Sequence, residues 1–277
     1  MKRTYLYAAM TEDAAERRRW TFYEAVNKIM KRFIIALQFL TIVRISRNIQ
    51  VEPKELGRSM GYFPMVGLVL GFILVLFNTF SLRILPAPVV DAILIIILII
   101  STGALHLDGL ADTIDGLAGG NSREEILQIM RDSNTGAIGA VGLTMTLLLK
   151  YTALMSIPHE TKNQVLLAMP MIGRWSMVEL SLFSKYARST NGIGLPFTAY
   201  LRKREFLFAS ATAILASFAL LGIKGIIIII VIGLFTFGSA KFLKGKIGGI
   251  TGDSFGAINE ISEVLALILV LVLLKNF

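Results

Sequence analysis

An all-α bundle of membrane-spanning helices is the fold class this sequence predicts, from three observations. The mean hydropathy is +0.68, with 55% of the 277 residues hydrophobic. Several segments approach the ~20 apolar residues that a bilayer crossing takes. Lysine and arginine also fall unevenly among the connections, as they do in oriented membrane proteins. The length leaves room for one membrane domain and no second large one.

Residues 1–29 are polar and basic, with Arg17, Arg18 and Arg19 in a run, and are expected to form a cytosolic extension ahead of an integral membrane domain over 30–277. The apolar stretch 33–43 lies between Arg32 and Arg44. It is too short to cross comfortably, and no small-residue cleavage site follows it, so an interfacial or re-entrant helix is expected. Seven spanning helices are then predicted, over 62–82, 87–107, 136–157, 164–183, 205–222, 225–240 and 256–275. With the amino terminus cytosolic, the cytoplasmic side holds 22 of the 28 lysines and arginines. The net charge of +9 is therefore read as orientation signal and not as a nucleic-acid footprint. The expected setting is a multi-pass protein of the cell (plasma) membrane with the lipid bilayer as its partner.

Cysteine is absent and histidine occurs twice, which excludes disulfides and thiolate metal sites. A metal here must be held mainly by oxygen, a donor that suits Mg²⁺, Mn²⁺ or Ca²⁺. HLDGLADTIDGLAGG, residues 106–120, supplies such oxygens. On a helix, Asp108, Asp112 and Asp115 project from one face on neighbouring turns. Each would cost about 3 kcal/mol at the bilayer centre, so the row calls for water or a cation. The competing reading is a solvated loop in which aspartates and glycines merely turn the chain. Three on one face at a membrane exit favour a divalent-ion site. His106, two residues before the row, is a base or ligand candidate, although a histidine at a helix end is commonly just hydrogen-bonded.

Three further stretches carry polar groups into the same predicted face. In IMRDSNTGAIGAVGL, Arg131 is a phosphate candidate and Asp132 a further metal ligand, ahead of a helix entry; Gly136, Gly139 and Gly142 suit close helix packing as well as function. GGITGDSFGAINEISEVLALILVL places Asp253, Glu260 and Glu263 at the start of the last span. SKYARSTNGIGLP offers Lys185, Tyr186 and Arg188 for a phosphate or ribose group. Arg174 lies inside an apolar span, where it snorkels, pairs with a carboxylate such as Glu179, or clamps an anionic substrate.

Taken in order, LQFLTIVRI, RSMGYFPMVGLVLG, GALHLDGLADTIDGL, MRDSNTGAIGAVGL, GRWSM, SKYARSTNGIG and GGITGDSFGAINEISE resemble the cobalamin synthase family, the adenosylcobinamide-GDP ribazoletransferases. The resemblance implies a Mg²⁺-dependent membrane enzyme of the last stage of cobalamin biosynthesis. Its substrates would be adenosylcobinamide-GDP and α-ribazole or α-ribazole 5′-phosphate, its products adenosylcobalamin or its phosphate and GMP. It carries over His106, Asp108, Asp112, Asp115, Arg131, Asp132, Arg174 and Asp253. On that footing the expected metal ligands are the three aspartates with Asp132 and Asp253. Arg131 and Arg174 would balance phosphate charge, and Asp115 or His106 would accept the proton of the attacking hydroxyl. The active face would be cytoplasmic, no nucleic acid would be involved, and oligomerisation is left open.

Asn134 stands where the family often has arginine, and Val43–Arg44 replace a frequent Arg-Ile pattern. Both departures fall outside the aspartate row. Two other classes use similar chemistry. A CDP-alcohol phosphotransferase shares the Asp-x-x-Asp-Gly opening, here DTIDG at 112–116, but the arginine and second aspartate pair that should follow are missing. An ion-coupled transporter would hold its carboxylates at the midplane of inverted repeats, and no such repeat is evident.

Overall fold

A computed structural model describes residues 26–45, 51–188 and 192–276, and among them the architecture is helical. The first helix, α1, runs over residues 26–40. It is followed by α2 (Pro53–Ser59), a 3₁₀ turn (Met60–Tyr62) and α3 (Phe63–Ser81). Next come α4 (Ala87–Thr102), α5 (Leu105–Gly119), α6 (Arg123–Ile129), α7 (Ala137–Met155) and α8 (His159–Phe183). The chain ends with α9 (Leu195–Tyr200), α10 (Lys203–Leu221), α11 (Ile223–Ile247) and α12 (Gly252–Asn276).

Six stretches are long and apolar enough to cross a membrane on their own: α2–α3, α7, α8, α10, α11 and α12. The bent pair α4–α5 makes a seventh if it is counted as one span. The chain is thus a multi-pass helical membrane protein. Residues 1–25 of the basic extension lie outside the described residues; the expected short helix at 33–43 is the second half of α1, which starts earlier and ends at 40.

α8 is the central helix, with 89% of its most apolar window inside the protein, against 22% for α7 and α10. α3 and α12 flank it and α10 and α11 close its remaining side. Lipid tails are as apolar as leucine, so close packing rather than removal from water holds such helices together. Accordingly Leu215 and Leu234 stay two-thirds exposed toward the lipid. One core cluster, including Leu74, Leu94, Leu166 and Leu267, fills one half of the bundle. The other half is aromatic: Phe39 stacks on Phe63 at 6.1 Å, and Phe197 meets both Phe63 and Phe255 edge-on at 5.7 Å.

Span boundaries differ from the expected ones where polar chemistry intervenes. The span predicted over 87–107 stops at Thr102. Gly103 (φ +61°) and Ala104 (φ +60°) then turn the chain through 89° into α5. Only glycine visits that left-handed region freely, and a side chain there costs about 1–2 kcal/mol. The bend nevertheless persists, with Ile42 N–H donating to Ser101 O at 2.9 Å beside it. α11 continues to Ile247, past the predicted end at 240, and α12 begins at Gly252, before the predicted 256. Both extensions carry polar side chains that hydropathy alone assigns to loops.

Buried ions tie the helices at two levels. At one end of the bundle Lys162 donates to Asp91 at 2.8 Å and Asn78 to Asn163 at 2.9 Å. Deeper inside, Lys150 of α7 bridges Glu260 (2.5 Å) and Glu263 (2.7 Å) of α12, and Glu263 also holds Arg174 of α8. Arg174 therefore pairs with Glu263 and not with Glu179, which is buried beside Gly233 with Oε2 lacking a partner.

Candidate active site

The opposite end of the bundle gathers α5, α6, the starts of α7 and α12, and residues 184–188. α5 crosses α12 so closely that a Cβ on Gly109 would lie 2.7 Å from the carbonyl oxygen of Asp253, and one on Gly256 would lie 2.6 Å from that of His106. Small residues at both positions let the backbones meet. Residues 184–188 join through a short parallel bridge, with Ala187 N–H donating to Ile250 O at 2.8 Å and Ile250 N–H to Lys185 O at 2.9 Å. Arg123, which the sequence did not single out, fastens α6 to both partners: its guanidinium donates to Ile247 O (2.9 Å) and Ala187 O (2.8 Å).

Within this frame four carboxylates come together. Asp108 is exposed, while Asp112, Asp115 and Asp253 are half-buried. Asp108, Asp253 and Asp115 all lie close enough to Asp112 for their charges to oppose its own. Arg188 is the cation set against them, donating to Asp253 Oδ2 at 3.0 Å and to Met130 O at 3.3 Å. Thr251 Oγ1 donates to the same Asp253 oxygen at 3.1 Å. Even with the exposed Lys185 and Arg131 nearby, four carboxylates leave an excess of negative charge at this end.

Asp115 has a different environment from its neighbours. Its two oxygens accept from the backbone N–H groups of Gly136 and Gly139, each at 2.7 Å. Those amides belong to the first turn of α7, whose own N-cap residue, Gly136, has no side chain to satisfy them. Asp115 thus caps α7 from another helix, and its charge suits the positive helix start. The glycines follow from this contact: a Cβ at Gly139 would fall 2.2 Å from Asp115 Oδ2, and one at Gly136 2.5 Å from Oδ1. Gly139→Ala is therefore expected to expel the carboxylate, lowering stability by about 1.5–3 kcal/mol for lost hydrogen bonds to a charged group. Thermal unfolding in detergent would read this, and an unchanged midpoint would refute it.

The remaining sequence candidates fall into three groups. Arg131 and Asp132 are exposed on an open recess that they share with Glu125, Gln128 and Ile129. There Asp132 Oδ1 accepts from Asn134 N–H (3.0 Å) and its side-chain amide (2.8 Å), a local turn that gives Asn134 a role of its own. Tyr186 and Arg188 face Asp253, and burial pushes the Tyr186 phenol above its ordinary value, keeping it a neutral donor. Lys185 is exposed next to them.

His106 and Arg174 lie deeper. His106 is 1% exposed with both ring nitrogens lacking partners. Arg174 is fully buried, donating to Glu263 and, at 3.4 Å, to Pro170 O. Glu260 and Glu263, grouped with Asp253 by spacing, instead belong to this internal ion network through Lys150.

Hard oxygen donors are the right chemistry for a divalent cation, and Asp108, Asp112 and Asp253 supply them at this end of the bundle. Among the described residues no three metal-ligating side chains already converge on a single point. An ion would bind to an open set, with ligand positions left for a phosphate-bearing substrate.

The fold and this acidic end define the class: a helical membrane protein with a carboxylate site facing out of one end of its bundle. The sequence profile described as cobalamin-5-phosphate synthase matches residues 32–272, and the chain belongs to that family. Among similar proteins, the adenosylcobinamide-GDP ribazoletransferase of Geotalea daltonii is 42% identical over 239 residues, covering 86% of this chain and 96% of the relative. That of Thermoanaerobacter sp. strain X514 is 37% identical over 240 residues, with 86% and 96% covered. That of Fusobacterium nucleatum subsp. nucleatum is 35% identical over 274 residues, with 88% and 98% covered. No solved structure matches.

Proposed function

We propose that this chain is an adenosylcobinamide-GDP ribazoletransferase. It joins the GDP-activated phosphocobinamide group to α-ribazole or its 5′-phosphate and releases GMP. The single observation that carries the reading is family membership across residues 32–272. The carboxylates of α5 and α12 supply the chemistry that such a transfer needs.

A ribazole hydroxyl oxygen attacks the phosphorus that bears cobinamide. The new O–P bond forms as the bond from that phosphorus to the GMP oxygen breaks, and the hydroxyl proton passes to a carboxylate oxygen of Asp108 or Asp112 that a cation leaves free. Asp115 is a poorer base because both its oxygens already accept backbone amides. His106 is poorer because it is buried, at 1% exposure, where α5 crosses α12. Arg188, Tyr186 and Lys185 line the approach and neutralise or donate to phosphate oxygens; Arg131, exposed nearby, joins them.

The oxygen donors fit Mg²⁺, with Asp108 and Asp112 of α5 and Asp253 of α12 as its proposed ligands. Held there, it would supply charge neutralisation for the pyrophosphate and for the leaving GMP oxygen. The remaining two assignments follow from the environment: Asp115 orients α7 against α5, and Arg174 braces the bundle from inside. The positive-inside distribution supports a cytoplasmic active face at a cell membrane.

The test is incubation of the purified protein with adenosylcobinamide-GDP, α-ribazole and Mg²⁺, scoring cobamide and GMP. Product is expected, lost with a chelator and restored by Mg²⁺. Product formed only from a CDP-alcohol donor, or none from adenosylcobinamide-GDP at any metal concentration, would overturn the assignment.

A further inference from the structure

A second charged site lies apart from the carboxylates, on elements they do not use. α1, the α2–α3 junction and the start of α10 enclose a cleft of about 490 Å³ whose walls carry Lys28, Arg32, Arg58, Arg202, Arg204 and Glu205. Arg32 is paired with Glu55 (2.8 Å) and Glu205 (3.2 Å). Five cations against those two carboxylates leave a net excess of three positive charges. Arg58 is only 8% exposed, yet its Nε has no hydrogen-bond partner. A buried guanidinium N–H without an acceptor is costly, and its position in the cleft wall marks where an acceptor belongs.

The level of the cleft identifies the acceptor. Three chain segments switch from basic to apolar at this point: Lys28–Arg32 before FIIALQFL, Arg58 before the apolar run of α3 from Phe63, and Arg202–Arg204 before FLFASATAIL. Each switch marks the boundary between headgroups and hydrocarbon. The apolar surface next to the cleft is open, with Ile29 51%, Leu207 55% and Phe208 44% exposed. Tyr62, with its ring 5.2 Å from that of Phe208, adds an amphipathic side chain of the kind that favours this depth.

We propose that the cleft binds the phosphodiester headgroup of an acidic phospholipid. The phosphate accepts from Arg58 and from the guanidinium groups at the rim, and the acyl chains run along the exposed faces of α1 and α10. Basic pockets between membrane helices recognise acidic headgroups by this chemistry. A soluble phosphate would use the same arginines but would gain nothing from the apolar flank.

The full chain in a neutral detergent would be titrated with phosphatidylglycerol, phosphatidylcholine, inorganic phosphate and glycerol 3-phosphate, with retained lipid read by native mass spectrometry and unfolding midpoints alongside. The unaltered protein should retain phosphatidylglycerol over phosphatidylcholine and unfold at a higher temperature with it. Arg202→Gln with Arg204→Gln, both exposed and outside the carboxylate site, should weaken phosphatidylglycerol binding by about fivefold for each arginine lost. Arg58→Gln should abolish the preference; if it does not fold, the rim pair decides the question. Equal retention of both lipids, a preference untouched by the rim substitutions, or equally tight binding of either soluble phosphate would each overturn the proposal.

Discussion

Asp112→Asn is expected to lower cobamide formation by about 10²–10³-fold, the range seen when one preorganised electrostatic group is removed from a transition state. Asp112 is the hub of the acidic end, with Asp108, Asp115 and Asp253 all close enough to act on its charge. Asparagine keeps the shape of the side chain but removes the charge that a cation needs. The Mg²⁺ concentration for half-maximal activity should rise in parallel, which a metal titration at saturating substrate would measure. Glu124→Gln, at an exposed carboxylate in the first turn of α6, is the control and should leave both quantities unchanged. Normal turnover and unchanged metal dependence in Asp112→Asn would remove the carboxylates from the reaction.

The largest expected loss of stability comes from Glu263→Ala. This glutamate is fully buried and holds Lys150 at 2.7 Å and Arg174 at once. Removing it leaves two buried cations with one glutamate, Glu260, between α7 and α12. Breaking a buried pair by deleting one partner costs about 3–5 kcal/mol, because the remaining charge keeps its desolvation penalty. Glu263→Gln, which retains a hydrogen-bond acceptor, should lose less. Unfolding in detergent, followed by circular dichroism, would separate the two. A Glu263→Ala protein as stable as its parent would show that the network contributes nothing to holding α7, α8 and α12 together.

The parts of the fold visible in the sequence were those written in hydropathy. α3, α7 and α10 lie close to their predicted limits because long apolar runs end sharply at polar residues. The bend at Gly103–Ala104 was not visible, since nothing in the letters of ISTGALHLDG distinguishes a straight continuation from an 89° turn at a non-glycine residue. The Asp108, Asp112 and Asp115 row was legible from helical spacing alone.

The differing jobs of those three aspartates depend on partners far along the chain. Gly136 and Gly139 engage Asp115, Arg188 engages Asp253, and Lys150 draws Glu260 and Glu263 away from the acidic end. Spacing says which side chains share a face, but not which distant side chain meets them. Arg174 shows the same limit: its neighbours in sequence offered Glu179, and the fold supplied Glu263.

The 89° bend also bears on how the chain is made. Helices enter a membrane in the order of synthesis, beginning from the amino terminus. α4 is apolar up to Thr102, and the turn directs the three aspartates across the end of the bundle instead of onward through the bilayer. They can wait at the surface while the rest of the protein is translated. Asp115 finds its amides once α7 has been threaded in, and Asp253 arrives only with α12. A chain cut short anywhere before Gly252 therefore inserts as a bundle without a complete acidic end. The carboxylate cluster comes together only when both α5 and α12 have emerged.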